Sequence, residues 1–396
     1  MGVLLKKGFG FNLNGMARLA VVAFVASFAS ALVNTVWALY IDSFVDSEVI
    51  VGMVSAFLTL VAFSSYFIFI PLMEKNDKAK IFAYSILFAI PFYALLAFTK
   101  NFILFLSLAF FITILFTLRI TSFGILVKDR SHKGQLAANE GFMYTFMNLS
   151  WVIAPLIAGY IASVSGISFV FLLAAFILLF ALFVFKIIHI KDGHVKKNLD
   201  TNIKKNFFDF FKDRERFYAY ILGSGSIMWF TLIYLFMPLF IIRQGLDKLW
   251  VGYFLFAVSI PLIFTEYKFS KMASKLGFRK LFITGFMLVA IVSFITFFVS
   301  NVYFILSLLV LASFGMAMVE PTSEAYFFDI LKKGDASRFY GPYNTRVDVG
   351  GLITRVLATV SLLLLPFKFL FILFGIFMLI MAFFSFKMND FIEKKD

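Results

Sequence analysis

The chain has 396 residues, 62% of them apolar, a mean hydropathy of +0.96 and a formal net charge of +14. Soluble domains sit near half apolar, so this composition demands a hydrocarbon solvent. With no cysteine there is neither a disulfide framework nor a thiolate metal site.

The three histidines, His132, His189 and His194, fall in charged connecting segments, which argues against a buried histidine metal centre. No Gly-x-x-x-x-Gly-Lys-Ser/Thr run occurs, so a nucleotide-driven pump is not expected. No nucleophile, base and metal constellation is present either. An enzyme, a cofactor, a bound metal and a nucleic-acid partner are therefore all unexpected.

A helix needs about 20 predominantly apolar residues to cross the hydrocarbon core. Twelve stretches satisfy this: roughly 16–41, 49–73, 79–99, 102–127, 139–163, 167–188, 217–242, 249–269, 281–299, 302–328, 341–366 and 368–387. Lys6 and Lys7 precede the first stretch as in a signal peptide, but it is too long for one and is expected to stay as a span. Of the 36 Lys and Arg residues, 29 fall on the side of the chain ends and 4 on the other, with Arg119, Arg346 and Arg355 inside spans. The positive-inside rule then predicts a cell-membrane protein with both termini cytoplasmic. The positive charge reports topology, aided by attraction to the anionic lipid bilayer. The longest connection, from about Lys186 to Arg216, is basic and carries Phe207-Phe208-Asp209-Phe210-Phe211, a run suited to the membrane interface.

An offset of 200 residues brings two halves into register. Val51 and Gly52 meet Val251 and Gly252, while Lys75, Lys80 and Phe82 meet Lys275, Lys280 and Phe282. Asn101 and Ser107 meet Asn301 and Ser307, and Asp129, Lys133, Gly134 and Gly141 meet Asp329, Lys333, Gly334 and Gly341. Six spans separate the copies, so both halves have the same orientation, a parallel repeat about an axis along the membrane normal. The expected organisation is a six-helix bundle over 1–190, a basic cytoplasmic loop over 191–216, and a second six-helix bundle over 217–396.

This parallel 6+6 arrangement resembles the major facilitator superfamily over nearly the whole chain. The family's loop signature after the second span, Gly-x-Leu-x-Asp-Arg-x-Gly-Arg-Lys, is echoed by Leu72-Met73-Glu74-Lys75-Asn76-Asp77-Lys78-Ala79-Lys80, which lacks both glycines. Its repeat mate, Met272-Ala273-Ser274-Lys275-Leu276-Gly277-Phe278-Arg279-Lys280, keeps the glycine and basic residues but lacks the acid. Arg119 with Gly124 is similar to the fourth-span motif, one residue longer in spacing. Asp129 resembles the acid that pairs with the basic loop. Ala154-Pro155-Leu156-Ile157-Ala158-Gly159 matches the antiporter motif of the fifth span only loosely.

The resemblance implies an all-α protein of twelve transmembrane helices that moves a solute by alternating access. It further implies a gate built from Glu74, Lys75, Lys78, Asp129, Gly277 and Arg279. In the family, spans 1, 4, 7 and 10 line the cavity and span 11 lies between the halves. Asp348 and Arg355, seven apart on span 11, are then expected to form a conformational latch.

Ionisable residues inside spans are costly and point to function. Glu320 and Glu324 share a face of span 10 and flank Pro321. Two neighbouring carboxylates resist double ionisation, which suits a proton carrier; a pair neutralised by Arg346 or Arg355 is the structural alternative. Arg119 is expected to bind substrate or relay charge, against an interspan partnership with Glu140 or another acid. Glu266 is placed near the cytoplasmic end of span 8, paired or snorkelling there.

Polar stripes run along span 1 (Ser27, Ser30, Asn34, Trp37), span 4 (Thr113, Thr117, Thr121) and span 7 (Ser226, Trp229, Tyr234), the last following a Gly223-Ser224-Gly225 weak point. Helix-packing polar contacts are the alternative to a substrate path. The expected function is a secondary active transporter of a small organic molecule, coupled to protons, working as a monomer and running as an efflux pump. Uptake of a sugar or organic anion is the alternative within that class. A scaffold, receptor or lipid scramblase on the same fold is the alternative outside it.

Overall fold

The computed structural model describes residues 15–130, 136–188, 203–332 and 335–389. Among these, every regular element is a helix, and twelve helices are long and apolar enough to cross a membrane. With no water inside a bilayer, a spanning segment satisfies its backbone by closing its own ladder, which is why apolar runs of this length become helices.

Spans 1 to 6 are Gly15–Val45, Glu48–Lys75, Lys78–Phe98, Phe102–Arg130, Leu136–Val164 and Ile167–Ile187. Span 7 runs Arg214–Arg243, and spans 8, 9 and 10 are Lys248–Leu276, Phe278–Phe298 and Val302–Asp329. Span 11 is entered through a short helix, Ala336–Asn344, and continues as Arg346–Leu364; span 12 is Phe369–Lys387.

Capping side chains mark the turns. Asp77 accepts the Lys80 amide at 3.0 Å, Asp213 the Arg216 amide at 2.9 Å, and Asn301 the Phe304 amide at 3.1 Å. Asn101, the repeat mate of Asn301, accepts the Leu104 amide at 3.0 Å. Large apolar side chains such as Phe176, Phe183, Phe264 and Phe298 are exposed on the outer surface, where a lipid-facing wall needs them.

The spans of each half pack mainly on one another: 1 on 5 and 6, 3 on 4 and 6, 9 on 10 and 12, 7 on 10, 11 and 12. Between halves, span 2 packs on span 11 and span 5 on span 8. The closest approaches there are images of each other under the repeat. Gly52 of span 2 meets Thr359 of span 11, and Gly252 of span 8 meets Gly159 of span 5. Residues 52 and 252, and 159 and 359, stand 200 apart. A Cβ on Gly252 would lie 2.6 Å from the Pro155 carbonyl oxygen, and one on Gly159 2.8 Å from the Gly252 Cα. Only glycine permits backbones this close.

These contacts lie towards the end of the bundle away from the side where span 1 begins and span 12 ends. Ion pairs close the same far end. Arg243, the last residue of span 7, reaches Asp42 at 2.8 Å, Asp46 at 2.8 Å and Glu48 at 3.2 Å on spans 1 and 2 and the turn between them. Asp46 adopts a left-handed backbone, φ 45°, in that turn, a conformation Asp tolerates better than most residues. Ser163 at the end of span 5 donates to Asp247 at 2.8 Å. That bond, with the Leu249 and Lys248 amides, holds the Asp247 carboxyl below the usual carboxylate range although partial burial opposes it, so it stays ionised at neutral pH.

Two expectations shift. Span 7 does not yield at Gly223-Ser224-Gly225, which is regular helix. Instead Gly223 receives Arg346 and Gly225 receives Phe286 in close packing. The irregularity is a π-helical stretch, Leu232–Phe236, just before Pro238. Pro238 has no N–H to offer the Tyr234 carbonyl and its ring crowds that turn, so the ladder slips to Met237 N–H on the Leu232 carbonyl. The aromatic run of the central connection also divides its faces. On the helix Ile203–Lys212, Phe210 is buried among Tyr220, Phe327 and Phe339, Phe207 meets Phe67 of span 2 at 5.7 Å, and Phe208 is exposed.

The far-end seal gives two expectations, both accessible because the chain has no cysteine background. Gly252→Leu should force spans 5 and 8 apart, so that Asn34→Cys reacts several-fold faster with a membrane-impermeant maleimide added from the far side. Unchanged labelling would show that this contact does not seal the path. Arg243→Gln should widen the spin-label distance between the far ends of spans 1 and 7 only in part of the population, since exposed ion pairs contribute about 0–1 kcal/mol each.

Candidate functional site

A cavity of about 600 Å³ lies between the halves near mid-membrane, a volume within the range of small-molecule sites. Its wall follows the repeat. Asn34 and Tyr234, Leu58 and Val258, Thr59 and Ser259, Ala62 and Leu262, and Asn148 and Asp348 all line it, and each pair stands 200 residues apart. The cavity therefore lies on the pseudo-two-fold axis.

Its charge does not follow the repeat. The lining carboxylates, Glu266, Glu320 and Asp348, all come from the second half, and the lining cation is Arg355. The repeat mates of the acids are Tyr66, Ile120 and Asn148.

Glu320 and Glu324 have different surroundings. Glu324 takes an ion pair with Arg346 at 2.5 Å; that guanidinium also lies over the Tyr343 ring at 3.8 Å and donates to Asn344 at 3.1 Å. Glu320 points into the cavity, where its Oε2 is buried without a hydrogen-bond partner. Glu266 of span 8 lines the same cavity, and its charge bears on Glu320. Glu266 thus stands in the cavity wall and not at the helix end where its position along span 8 suggested. The signal was present in the spacing: Ser259, Leu262 and Glu266 recur at three and four residues, one helical face.

Asp348 and Arg355 occupy the wall of span 11 where it packs on span 2, so the position suits a latch and substrate contact alike. Ser55 of span 2, 6% exposed, adds a hydroxyl without a partner to the same wall.

Arg119 lies one layer back. Its Nη2 donates to Ser30 Oγ at 2.5 Å and its guanidinium packs 5.2 Å from the centre of the Phe116 ring. Ser30 and Phe116 are the residues that face the cavity. Among the described residues no carboxylate comes within ion-pair distance of Arg119, and the Glu140 side chain lies outside them. Of the polar stripes, Ser30, Asn34, Trp37, Thr113 and Tyr234 reach the cavity. Thr117 and Thr121 instead donate to the carbonyls of Thr113 and Thr117. Trp229 is fully buried in the core of the second half.

The π-helical stretch centres on Tyr234 and presents it to the cavity, whose wall also holds Ser259 and Glu320. Trp151 of span 5 stands edge-on to Tyr234 across the two halves, 5.7 Å between centres, and Phe230 lies 6.1 Å from Tyr234. Neither Trp151 nor Phe230 was singled out by the sequence.

For the gate residues, Lys78 is buried at the start of span 3, Gly277 turns the chain into span 9 with φ 81°, and Arg279 is half-buried. The side chains of Glu74, Lys75 and Asp129 lie outside the described residues. The far-end cluster of Arg243, Asp42, Asp46 and Glu48 went unrecognised in the sequence, because its members are brought together only by the meeting of the halves. Among the described residues, no group of three or more His, Cys, Asp or Glu could hold a metal ion.

The Major Facilitator Superfamily model matches residues 19–267 and 259–395 of this chain. No curated protein matches the sequence. Among solved structures, the chain is similar to a POT family transporter in complex with 5-aminolevulinic acid, at a TM-score of 0.79 and 13% identity over 96% of this chain and 98% of that one. A POT family transporter in complex with a thioalcohol conjugated peptide gives 0.78 and 13%, over 94% and 96%. A bacterial homologue of the human lysosomal transporter Spinster, inward-facing and unoccupied, gives 0.73 and 10%, over 94% and 95%. At these identities the likeness is one of fold. With the family match running through both halves, the chain is a multi-pass membrane protein that belongs to the Major Facilitator Superfamily, a family and fold of transporters.

Proposed function

We propose that this protein is a proton-coupled secondary transporter that moves a small organic solute by alternating access. The observation that carries this reading is the cavity on the pseudo-two-fold axis, with Glu320 directed into it and Glu266 in the same wall. An acid kept at mid-membrane without a basic partner costs stability and is retained where it does work. A scaffold or receptor would have no need of it. Glu320 is the proposed proton carrier and Glu266 its neighbour, with Glu324 anchoring Arg346 beside them.

In this reading the far end, sealed by Arg243 and the Gly159–Gly252 contact, faces outside, and the side of the chain ends faces the cytoplasm of a cell-membrane protein. The basic connections, 29 of 36 Lys and Arg on one side, support that orientation. Efflux of a partly apolar compound is the proposed direction. One chain encloses a whole cavity, so a monomer is the proposed working unit.

The test uses liposomes loaded with a pH dye and a compound panel spanning neutral, cationic and anionic molecules. Compound-evoked proton flux is expected from the wild type and is expected to fall by more than roughly tenfold in Glu320→Gln, one lost interaction of about 1.4 kcal/mol or more. Glu324→Gln should instead lower thermal stability by roughly 3–5 kcal/mol at most, since it strands a buried Arg346. Flux that persists in Glu320→Gln would remove that residue as carrier, and compound transport without proton movement would remove the coupling.

A further inference from the structure

We infer that the cavity selects organic cations, seating a cationic head between Glu266 and Glu320 and against the rings of Tyr234, Trp151 and Phe230. This rests on the transporter reading and names the substrate class of that same site.

The charge balance of the wall is the first argument. The groups facing Glu320 are Glu266 from span 8, Tyr234 from span 7, Glu324 on its own helix and Arg346 from span 11. Arg346 is already taken by Glu324 and lies over the Tyr343 ring. Arg355, on the span 11 wall, feels the charge of Asp348 seven residues earlier on the same helix but makes no ion pair within 4 Å, and its Nε is buried without a partner. Among the described residues, no Lys or Arg nitrogen lies within 4 Å of Glu266 or Glu320. Two acids of one wall are thus left without a cation of the protein's own at that distance, and one of their oxygens, Glu320 Oε2, is buried with nothing to bond. An anion brought here would be repelled at low dielectric, and a neutral molecule would leave the acids as they are. A cation supplies what is missing.

The ring geometry is the second, independent argument. Trp151 and Tyr234 meet at 86° and 5.7 Å, and Phe230 and Tyr234 at 51° and 6.1 Å, so differently inclined rings border one part of the cavity. Ring faces attract ammonium-like groups, most strongly where water is excluded. Ser55, buried and without a hydrogen-bond partner, offers a hydroxyl to the rest of the ligand.

The same acids explain coupling without further machinery. Before the ligand arrives, the facing carboxylates share a proton. A cation entering between them releases that proton to cavity water, one positive charge exchanged for one, so ligand and proton compete for a single seat.

The experiment measures equilibrium binding of tetraphenylphosphonium to the detergent-purified full chain, beside tetraphenylborate, an anion of the same shape, from mildly acidic to mildly alkaline pH. The cation is expected to bind saturably, to weaken as the medium is acidified and to release protons on binding; the anion is expected not to bind at the site. Glu266→Gln and Glu320→Gln should each weaken the cation by roughly tenfold or more, while Glu320→Asp, which keeps the charge, should retain most of the affinity and its pH dependence. A melting curve for each variant confirms folding. Cation affinity unchanged in both Gln variants, absence of cation binding, or equal binding of the anion would overturn the inference. If the cation binds as expected and no compound moves protons in liposomes, the transport reading fails and this one stands. If neutral or anionic compounds drive proton flux and the cation does not bind, the reverse holds.

Discussion

Placing charge between helices in a bilayer costs several kcal/mol unless something answers it, and most of what is specific to this protein follows from how each buried charge is answered. Arg346 is answered twice, by Glu324 and by the Tyr343 ring. Arg119 is answered by a hydroxyl and a ring. Arg243 gathers three acids at a rim where water still reaches. In the cavity wall the answer is incomplete: among the described residues Glu266, Glu320, Asp348 and Arg355 make no ion pair within 4 Å, and Glu320 Oε2 and Arg355 Nε are buried without partners. In the proposed reading, Glu320 and Glu266, left in that wall without a basic partner, are the seat for something that comes and goes.

The scaffold around that seat is symmetric where it bears on movement and asymmetric where it bears on chemistry. The contacts Gly52–Thr359 and Gly159–Gly252 occupy equivalent places under the repeat, the first against a threonine side chain and the second backbone to backbone, so in the proposed reading two halves would rock about a shared axis with bearings at equivalent places on either side. The acids have no such images. Tyr66, Ile120 and Asn148 occupy the corresponding places in the first half. Duplication explains the bearings, whereas the acidic wall needs a separate cause, and ligand chemistry is one that acts on the cavity alone.

The division between what was legible in the sequence and what was not has the same physical origin. Span number and the repeat depend on composition and spacing along the chain, so they could be read directly; even the repeat mates Gly52 and Gly252 stood out, though not what they touch. Which acid faces which depends on the rotation of one helix against another. Glu320 and Glu324 are neighbours on one helix, yet Arg346 draws one away and Glu266, far off in sequence, takes the other's side. The irregular turn of span 7 shows a weaker case. Gly223-Ser224-Gly225 drew attention because glycine loosens a helix, but in a tightly packed bundle glycine is more often where neighbours press in. Pro238, whose missing N–H displaces the ladder four residues back, was the better signal.

The two kinds of electrostatic contact also differ in what they can control. The Arg243 cluster joins the halves, but its members are partly solvated, so making or breaking it moves the balance between states by little and costs little on each cycle. The cavity acids join nothing, yet their charge state decides how costly it is to enclose them. Closing either end of the bundle leaves the wall drier, and two ionised carboxylates in a dry cavity repel each other at low dielectric. One proton shared between them relieves that, and so does one cation held between them. In the proposed reading, reorientation is then permitted with either occupant and opposed with neither, which is the condition for exchanging one for the other. In that reading the contacts at the far end can be weak because the acidic wall, by opposing closure when empty and ionised, would itself tie reorientation to an occupant.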